Sequence, residues 1–173
     1  LAEGNADFVA LGRSQLAEPA WAKKAKEGRA SDIKPCINCL IGCIDRGMLS
    51  HTPIHCTVNP SLYRFECKPV EKAETRKQVA VVGAGPAGCE AALTASKRGH
   101  QVTIYEKRCI GGAMIEASKP ENKANIKRLI HYYEDHIMHD PNITLVKEEV
   151  EYETLVHSGY DAVIIAVGGK TRI

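Results

Sequence analysis

The sequence predicts an α/β chain: a parallel, doubly wound sheet after residue 77, an irregular cysteine-bearing segment before it, and one strand–helix unit at the start. Three observations carry this reading. From Gln78 onward, short apolar runs alternate with helical patterns, the arrangement of a parallel sheet. Residues 30–76 hold five cysteines and four prolines with little periodicity, which reads as backbone organised by a metal. Ahead of them, Phe8-Val9-Ala10-Leu11 is stopped by Gly12 and followed by a helix pattern. The length of 173 residues suits one domain, or one plus part of another, at roughly 100–200 residues per domain.

Each element has its own signal. Phe8–Leu11 reads as a fully buried strand. Glu18-Pro19 opens a helix, with Pro at the position where its missing N–H costs nothing. Trp21, Ala22 and Ala25 share a face of that helix, and Gly28 is its C-cap. A strand and one helix cannot bury both faces alone, so residues 1–29 read as one unit of a larger βα structure. The polar run Glu71–Lys77 marks a boundary, giving segments 1–29, 30–76 and 77–173. In the last of these, Val79–Val82 is a strand, Pro86–Arg98 a helix and Val102–Tyr105 a second strand. A longer helix near 121–138 places Ile126, Leu129, Ile130, Tyr133 and Ile137 at i, i+3, i+4, i+7 and i+11. Ile143–Val146 and Ala162–Val167 are further strands, the second continuously apolar and therefore expected to be central.

Composition narrows the function classes. Hydrophobic content of 44% and charged content of 25% are ordinary for a globular protein. A net charge of +2 with mixed signs gives no basic field for nucleic acid. The longest apolar stretches run to about ten residues, where a membrane span needs about twenty. No N-terminal stretch has the layout of a signal peptide, so a cytoplasmic location is expected. In such a chain seven cysteines point to metal or redox chemistry rather than disulfides.

Gly83-Ala84-Gly85-Pro86-Ala87-Gly88 follows a strand and opens a helix, the context a dinucleotide fingerprint requires. The first glycine permits the tight turn. The second lets the backbone approach a pyrophosphate, and the third lets the helix pack on the strand. The helix N-terminus then offers free N–H groups and partial positive charge. Ala92 and Gly99 keep the helix close to the sheet. Glu106 ends the second strand, where a carboxylate accepts both ribose hydroxyls and repels a 2′-phosphate. Gly111-Gly112 and the late run Asp161–Gly169 resemble the second and third signatures of FAD-binding folds of the flavoprotein disulfide-reductase type. They favour FAD over NAD or ADP in a Rossmann-like half-domain. The residues assigned to this cofactor are Gly83, Gly85, Pro86, Ala87, Gly88, Glu106, Lys107 and Gly112.

Cys36, Cys39, Cys43 and Cys56 have the spacing C-x2-C-x3-C-x12-C. Three thiolates in one loop and one on a returning segment suit a [4Fe–4S] cubane. Structural zinc more often uses two separated pairs, although His51 or His55 could complete a Cys₃His site. Gly42 lets the backbone turn closely around a cluster. Cys67, Cys89 and Cys109 fall outside the pattern, and Cys89 is assigned to packing. His131, His136 and His139 read as solvated surface, and Glu148-Glu149-Val150-Glu151 as an exposed edge or turn.

Taken in order, Asp7–Pro19, the cysteine spacing with its Cys56-Thr57-Val58-Asn59-Pro60 tail, and the fingerprint resemble the family of 2,4-dienoyl-CoA reductase, enoate reductase and trimethylamine dehydrogenase. The resemblance implies that residues 1–29 are the last βα unit of an FMN-binding TIM barrel, with Gly12 and Arg13 at the FMN phosphate. It implies a [4Fe–4S] cluster on Cys36, Cys39, Cys43 and Cys56, and FAD at the fingerprint, or ADP as in the trimethylamine branch. Electrons would pass from NAD(P)H to FAD, to the cluster and to FMN, which reduces an activated C=C bond of a small-molecule substrate. Amine dehydrogenation, or a non-catalytic dinucleotide-binding module with structural zinc, is the alternative. No catalytic residue is assigned, and no nucleic-acid or membrane partner is expected; a homo-oligomer is compatible with the pattern. The chain starts at Leu1 and stops at Thr171-Arg172-Ile173, just after a strand and turn, so it is expected to be an internal piece of a longer enzyme.

Overall fold

The computed structural model describes residues 3–62 and 70–169, and the chain divides into two compact units, Leu1–Cys67 and Lys68–Ile173. Cys67 and the C-terminal Thr171–Ile173 singled out above lie outside the described residues.

In the first unit, two short helices, α1 (Arg13–Ala17) and α2 (Trp21–Lys26), precede a 3₁₀ turn at Ala30–Asp32. Glu18 organises the junction between the helices. Its carboxylate accepts from the Ala20 N–H at 3.1 Å and pairs with Lys24 at 2.5 Å, while Lys24 also donates to the Asp32 carbonyl at 2.8 Å. Gly28 closes α2 with φ +72, the left-handed cap its sequence position implies. Phe8–Leu11 departs from expectation: it forms no strand, and Phe8 and Val9 are 91% and 59% exposed. A parallel strand exists only beside another strand, and no described residue of this unit supplies one. The described residues of this unit therefore show no strand of the expected barrel unit. The expected face of α2 is half-buried at Trp21 and exposed at Ala22 and Ala25.

The cysteine segment is more regular than its composition suggests. Ile41–Leu49 forms a nine-residue π-helix, entered through Leu40 in the left-handed region (φ 62). The Leu40 carbonyl accepts from both Ile44 and Asp45 N–H groups at 3.0 Å, mixing i+4 and i+5 bonding. Such helices are rare and concentrate at functional sites.

The second unit runs β1 (Gln78–Val82), α3 (Pro86–Lys97), β2 (Gln101–Tyr105), α4 (Met114–Ala117), α5 (Ala124–Met138), β3 (Ile143–Val146), α6 (Tyr152–His157) and β4 (Ala162–Ile165). The strands form one parallel sheet in the order β3-β2-β1-β4, in register through Val79↔Val102, Val102↔Ile143 and Val79↔Ala162. The doubly wound parallel order follows the alternation of apolar runs and helices in the sequence. The core forms where β1 and β2 bury Ala80, Val81 and Ile104 completely, on the two faces of the sheet, and Cys89 and Ala92 of α3 are buried as fully. Leu129, Ile130, Tyr133 and Ile137 make the buried stripe of α5, as the helical spacing requires. Each such large apolar side chain contributes roughly 1.5–3 kcal/mol on burial.

The strand starts are tied by polar side chains. Ser96 donates to Asp140 at 2.6 Å, and Asn142 joins Ser96, Gln101 and Arg76 through its amide. Asp161 accepts from the Gln78 N–H at 2.7 Å, linking the starts of β1 and β4. Contrary to expectation, the apolar run Ala162–Val167 is not central. β4 is an edge of the described sheet, with Ile165 63% and Val167 68% exposed. An apolar run reports that both faces favour cover, not that described residues supply it. Among the described residues no helix is long and apolar enough to cross a membrane.

Candidate functional site

The fingerprint turn is built by contacts that only glycine satisfies. Gly83 leaves β1 with φ +97, its N–H bonded to the Tyr105 carbonyl at 2.8 Å. A Cβ there would meet the Ala166 carbonyl oxygen at 2.5 Å. A Cβ on Gly88 would overlap the Gly83 carbonyl oxygen, so the third glycine sets how closely α3 lies on the turn. Gly85 is the N-cap residue of α3 and Pro86 occupies its first turn, with no side chain capping the helix. The first N–H groups of α3 are thus left for a ligand.

A second glycine loop sits on this turn. Gly111 (φ +120) donates to the Ala84 carbonyl at 2.8 Å, and Gly112 (φ +52) lies so close to Gly85 that a Cβ would stand 2.9 Å from the Gly85 Cα. Glu106 fastens the remaining side. One carboxylate oxygen accepts from the Ala84 N–H and the other from the Arg108 N–H, both at 2.8 Å. Each oxygen keeps a further lone pair for a ribose hydroxyl.

These segments border a cavity of about 560 Å³, completed by Glu148–Val150 and Ala166–Gly169. That volume falls in the range of cofactor pockets. Gly83, Gly85, Pro86, Ala87, Glu106, Lys107 and Gly112 line it, whereas Gly88 packs behind the turn. Arg108, Glu116 and Glu149 also line it and were not assigned from sequence. Their positions depend on pairings up to forty-two residues apart, which no local motif records. The Tyr105 hydroxyl shares a 2.9 Å hydrogen bond with Tyr160, which with partial burial pushes its pKa up to about 12. Burial pushes the Cys89 thiol up to about 12 as well, and its sulfur donates to the Ala84 carbonyl. It is a packed thiol, not a nucleophile.

In the first unit Cys36, Cys39, Cys43 and Cys56 are free and half-buried. The chain returns past the loop so that the His55 N–H donates to the Gly42 carbonyl at 2.8 Å, and a Cβ on Gly42 would overlap the His55 carbonyl oxygen. The returning Cys56 is carried beside the loop by this pairing, and Cys39 reaches Thr57 at 3.2 Å. Asn38, Leu40 and His51 all have positive φ without being glycine, a concentration of strain typical of functional loops. The thiols rest in weak contacts: Cys36 with the Asn38 N–H and side chain, and Cys43 with the Leu40 carbonyl. Among the described residues no three His, Cys, Asp or Glu side chains stand in a metal-holding arrangement. The donor set and the close Gly42 passage fit a thiolate-held centre, while the side chains are not closed on one point. Gly12 and Arg13 are exposed where α1 begins.

Residues 77–173 match the family model described as pyridine nucleotide-disulphide oxidoreductase. The chain is 42% identical over 172 residues to the NADH oxidase of Thermoanaerobacter brockii, covering 98% of this chain and 26% of that protein. It is 34% identical over 171 residues to the cinnamate reductase of Clostridium sporogenes, covering 98% and 25%. The solved 2-naphthoyl-CoA reductase in complex with 2-naphthoyl-CoA superposes with a TM-score of 0.93 at 34% identity, over 99% of this chain and 26% of that one. The chain thus spans about a quarter of the length of these relatives. They bear out the resemblance drawn from the motifs.

Proposed function

The chain belongs to the pyridine nucleotide-disulphide oxidoreductase family, and from that premise we propose that it is the flavin-nucleotide and iron–sulfur part of an NAD(P)H-dependent reductase of activated C=C bonds. The observation that carries the reading is the cavity framed by three glycine segments, with Glu106 on its wall. The names of the relatives, an NADH oxidase and two reductases of conjugated acids or thioesters, support the reaction class.

The division of labour follows from the geometry. Gly83, Gly85 and Gly112 let backbone approach a pyrophosphate, and the uncapped start of α3 supplies N–H donors to it. Glu106 accepts ribose hydroxyls on the lone pairs that Ala84 and Arg108 leave open. The segments Glu148–Val150 and Ala166–Gly169 would flank the nucleotide. Cys36, Cys39, Cys43 and Cys56 would hold a [4Fe–4S] centre, and Gly12 and Arg13 an FMN phosphate in the whole protein. The flavins supply hydride acceptance and single-electron release, and the centre supplies one-electron storage. Amine oxidation would use the same parts of this chain with a different substrate pocket.

The test is to purify the chain without oxygen, then measure bound flavin, iron, acid-labile sulfide and zinc. About one FAD with about four irons and four sulfides per chain is expected. Failure to bind FAD or ADP refutes the nucleotide assignment, and zinc without sulfide refutes the iron–sulfur assignment. In the full-length enzyme, NADH or NADPH should bleach the flavin, and an enoate or enoyl thioester should restore its colour. Bleaching of the oxidised flavin by an amine, with no response to NADH or NADPH, would place the protein with the amine dehydrogenases.

A further inference from the structure

Lys107 and Arg108 directly follow Glu106, where a chain that accepts a 2′-phosphorylated nucleotide places the cations that grip the phosphate. The structure shows both cations already engaged. Lys107 Nζ lies 2.6 Å from Glu149, on the loop between β3 and α6, and Arg108 lies 3.5 Å from Glu116, on α4. All four side chains, with Glu106 and Glu148, line the nucleotide cavity. The Arg108 N–H is itself bonded to the Glu106 carboxylate, so the cations begin at the residue that faces the ribose.

We propose that the Lys107–Glu149 and Arg108–Glu116 pairs, together with Glu106, make this cavity select a dinucleotide with a free adenosine 2′-hydroxyl. The inference rests on the nucleotide reading of the cavity and adds two specificity-determining carboxylates to it. A 2′-phosphate has to displace Glu149 from Lys107 and Glu116 from Arg108 while standing against the unneutralised charge of Glu106. A free 2′-hydroxyl disturbs none of these and donates to Glu106. Because the pairs draw on two separate walls of the cavity, losing one leaves the other cation still engaged. The consequence is a flavin-nucleotide seat that refuses a 2′-phosphorylated pyridine dinucleotide, even when that dinucleotide is the reductant in the same enzyme.

Pairs this exposed are individually weak, so each carboxylate should account for a factor of a few, and both for roughly tenfold. The experiment measures dissociation constants of ADP-ribose and its 2′-phosphorylated form for the 173-residue chain by calorimetry at low salt. The unaltered chain should prefer ADP-ribose. In Glu116→Gln/Glu149→Gln the ratio of the two constants should shift roughly tenfold toward the 2′-phosphorylated ligand. Adding Lys107→Ala and Arg108→Ala should reverse the shift, because the freed cations produce it. About 1 M salt should compress it, since the screening length there is about 3 Å. An unchanged ratio, or equal tightening of both ligands, overturns the inference while leaving the nucleotide reading intact. Failure of the unaltered chain to bind ADP-ribose overturns the nucleotide reading itself.

Discussion

Replacing Glu106 by Gln keeps the shape of the side chain and removes the charge that holds three segments together. The carboxylate accepts two backbone N–H groups at 2.8 Å, from Ala84 in the fingerprint turn and from Arg108. A glutamine offers one acceptor oxygen, so its NH₂ must face one of these donors. The Ala84 bond is part-buried and the Arg108 bond exposed, so the amide oxygen should turn to Ala84 and leave Arg108 to water. The change converts one charge-assisted bond to a neutral one and loses the other. With charged-acceptor bonds worth about 1.5–3 kcal/mol and neutral ones about 0.5–1.5, a destabilisation of about 1–2 kcal/mol follows. For a unit of this size that lowers the melting temperature on the order of 5–10 °C. ADP-ribose affinity should fall by about 10- to 100-fold, as the ribose loses an ionised acceptor and the turn its tether. Thermal unfolding followed by circular dichroism, with calorimetric titration of ADP-ribose, checks both. Wild-type melting with wild-type affinity would refute the role given to this carboxylate.

Three further outcomes follow from other parts of the molecule. Gly42→Ala places a methyl on the His55 carbonyl and should abolish iron incorporation, measured as iron and sulfide per chain, while leaving nucleotide binding unchanged. Cys89, with its thiol pushed up to about 12, should resist alkylation at pH 8 while Cys36, Cys39, Cys43, Cys56 and Cys109 react in metal-free protein. Mass mapping of the adducts reads this; because its proton is held more tightly folded than unfolded, stability should also decline as pH rises above about 9. For Glu18, burial raises the carboxyl pKa, but the Lys24 ammonium and the Ala20 and Lys34 N–H donors outweigh it and hold it below its ordinary value. The first unit should therefore keep this contribution above the ordinary carboxylate range and lose it as pH falls below about 4. Glu18→Gln should remove that acid sensitivity in a pH series of melts.

What the sequence made legible is local in origin. The fingerprint is readable because its glycines are set by close backbone approach: a Cβ on Gly88 would overlap the Gly83 carbonyl within the turn, and one on Gly83 would meet the Ala166 carbonyl at 2.5 Å. The buried stripe of α5 was readable because helical spacing reports one face directly. Phe8–Leu11, expected to be a strand, and Ala162–Val167, a strand as expected but not a central one, depart from expectation for a common reason: an apolar run states a preference for cover and does not say what supplies it. The π-helix at Ile41–Leu49 left no sign, since i+5 bonding changes the rise of a helix without demanding a particular residue. The cavity-lining acids Glu116 and Glu149 were invisible because their partners are set by the fold, eight and forty-two residues away.

The polar lattice across the strand starts gives the second unit a fixed end and a free end. Ser96, Asp140, Asn142, Gln101 and Asp161 lock one margin of the sheet, and the glycine turns occupy the other. Amide hydrogens near Gln78, Gln101 and Ile143 should exchange with solvent only through global opening, whereas those of Gly85 and Gly168 should exchange through small local excursions. A nucleotide settling into the cavity then meets backbone at that margin, and the side-chain-locked margin of the sheet has nothing to rearrange. The unit behaves as a clamp whose hinge is built from side chains and whose jaws are bare backbone.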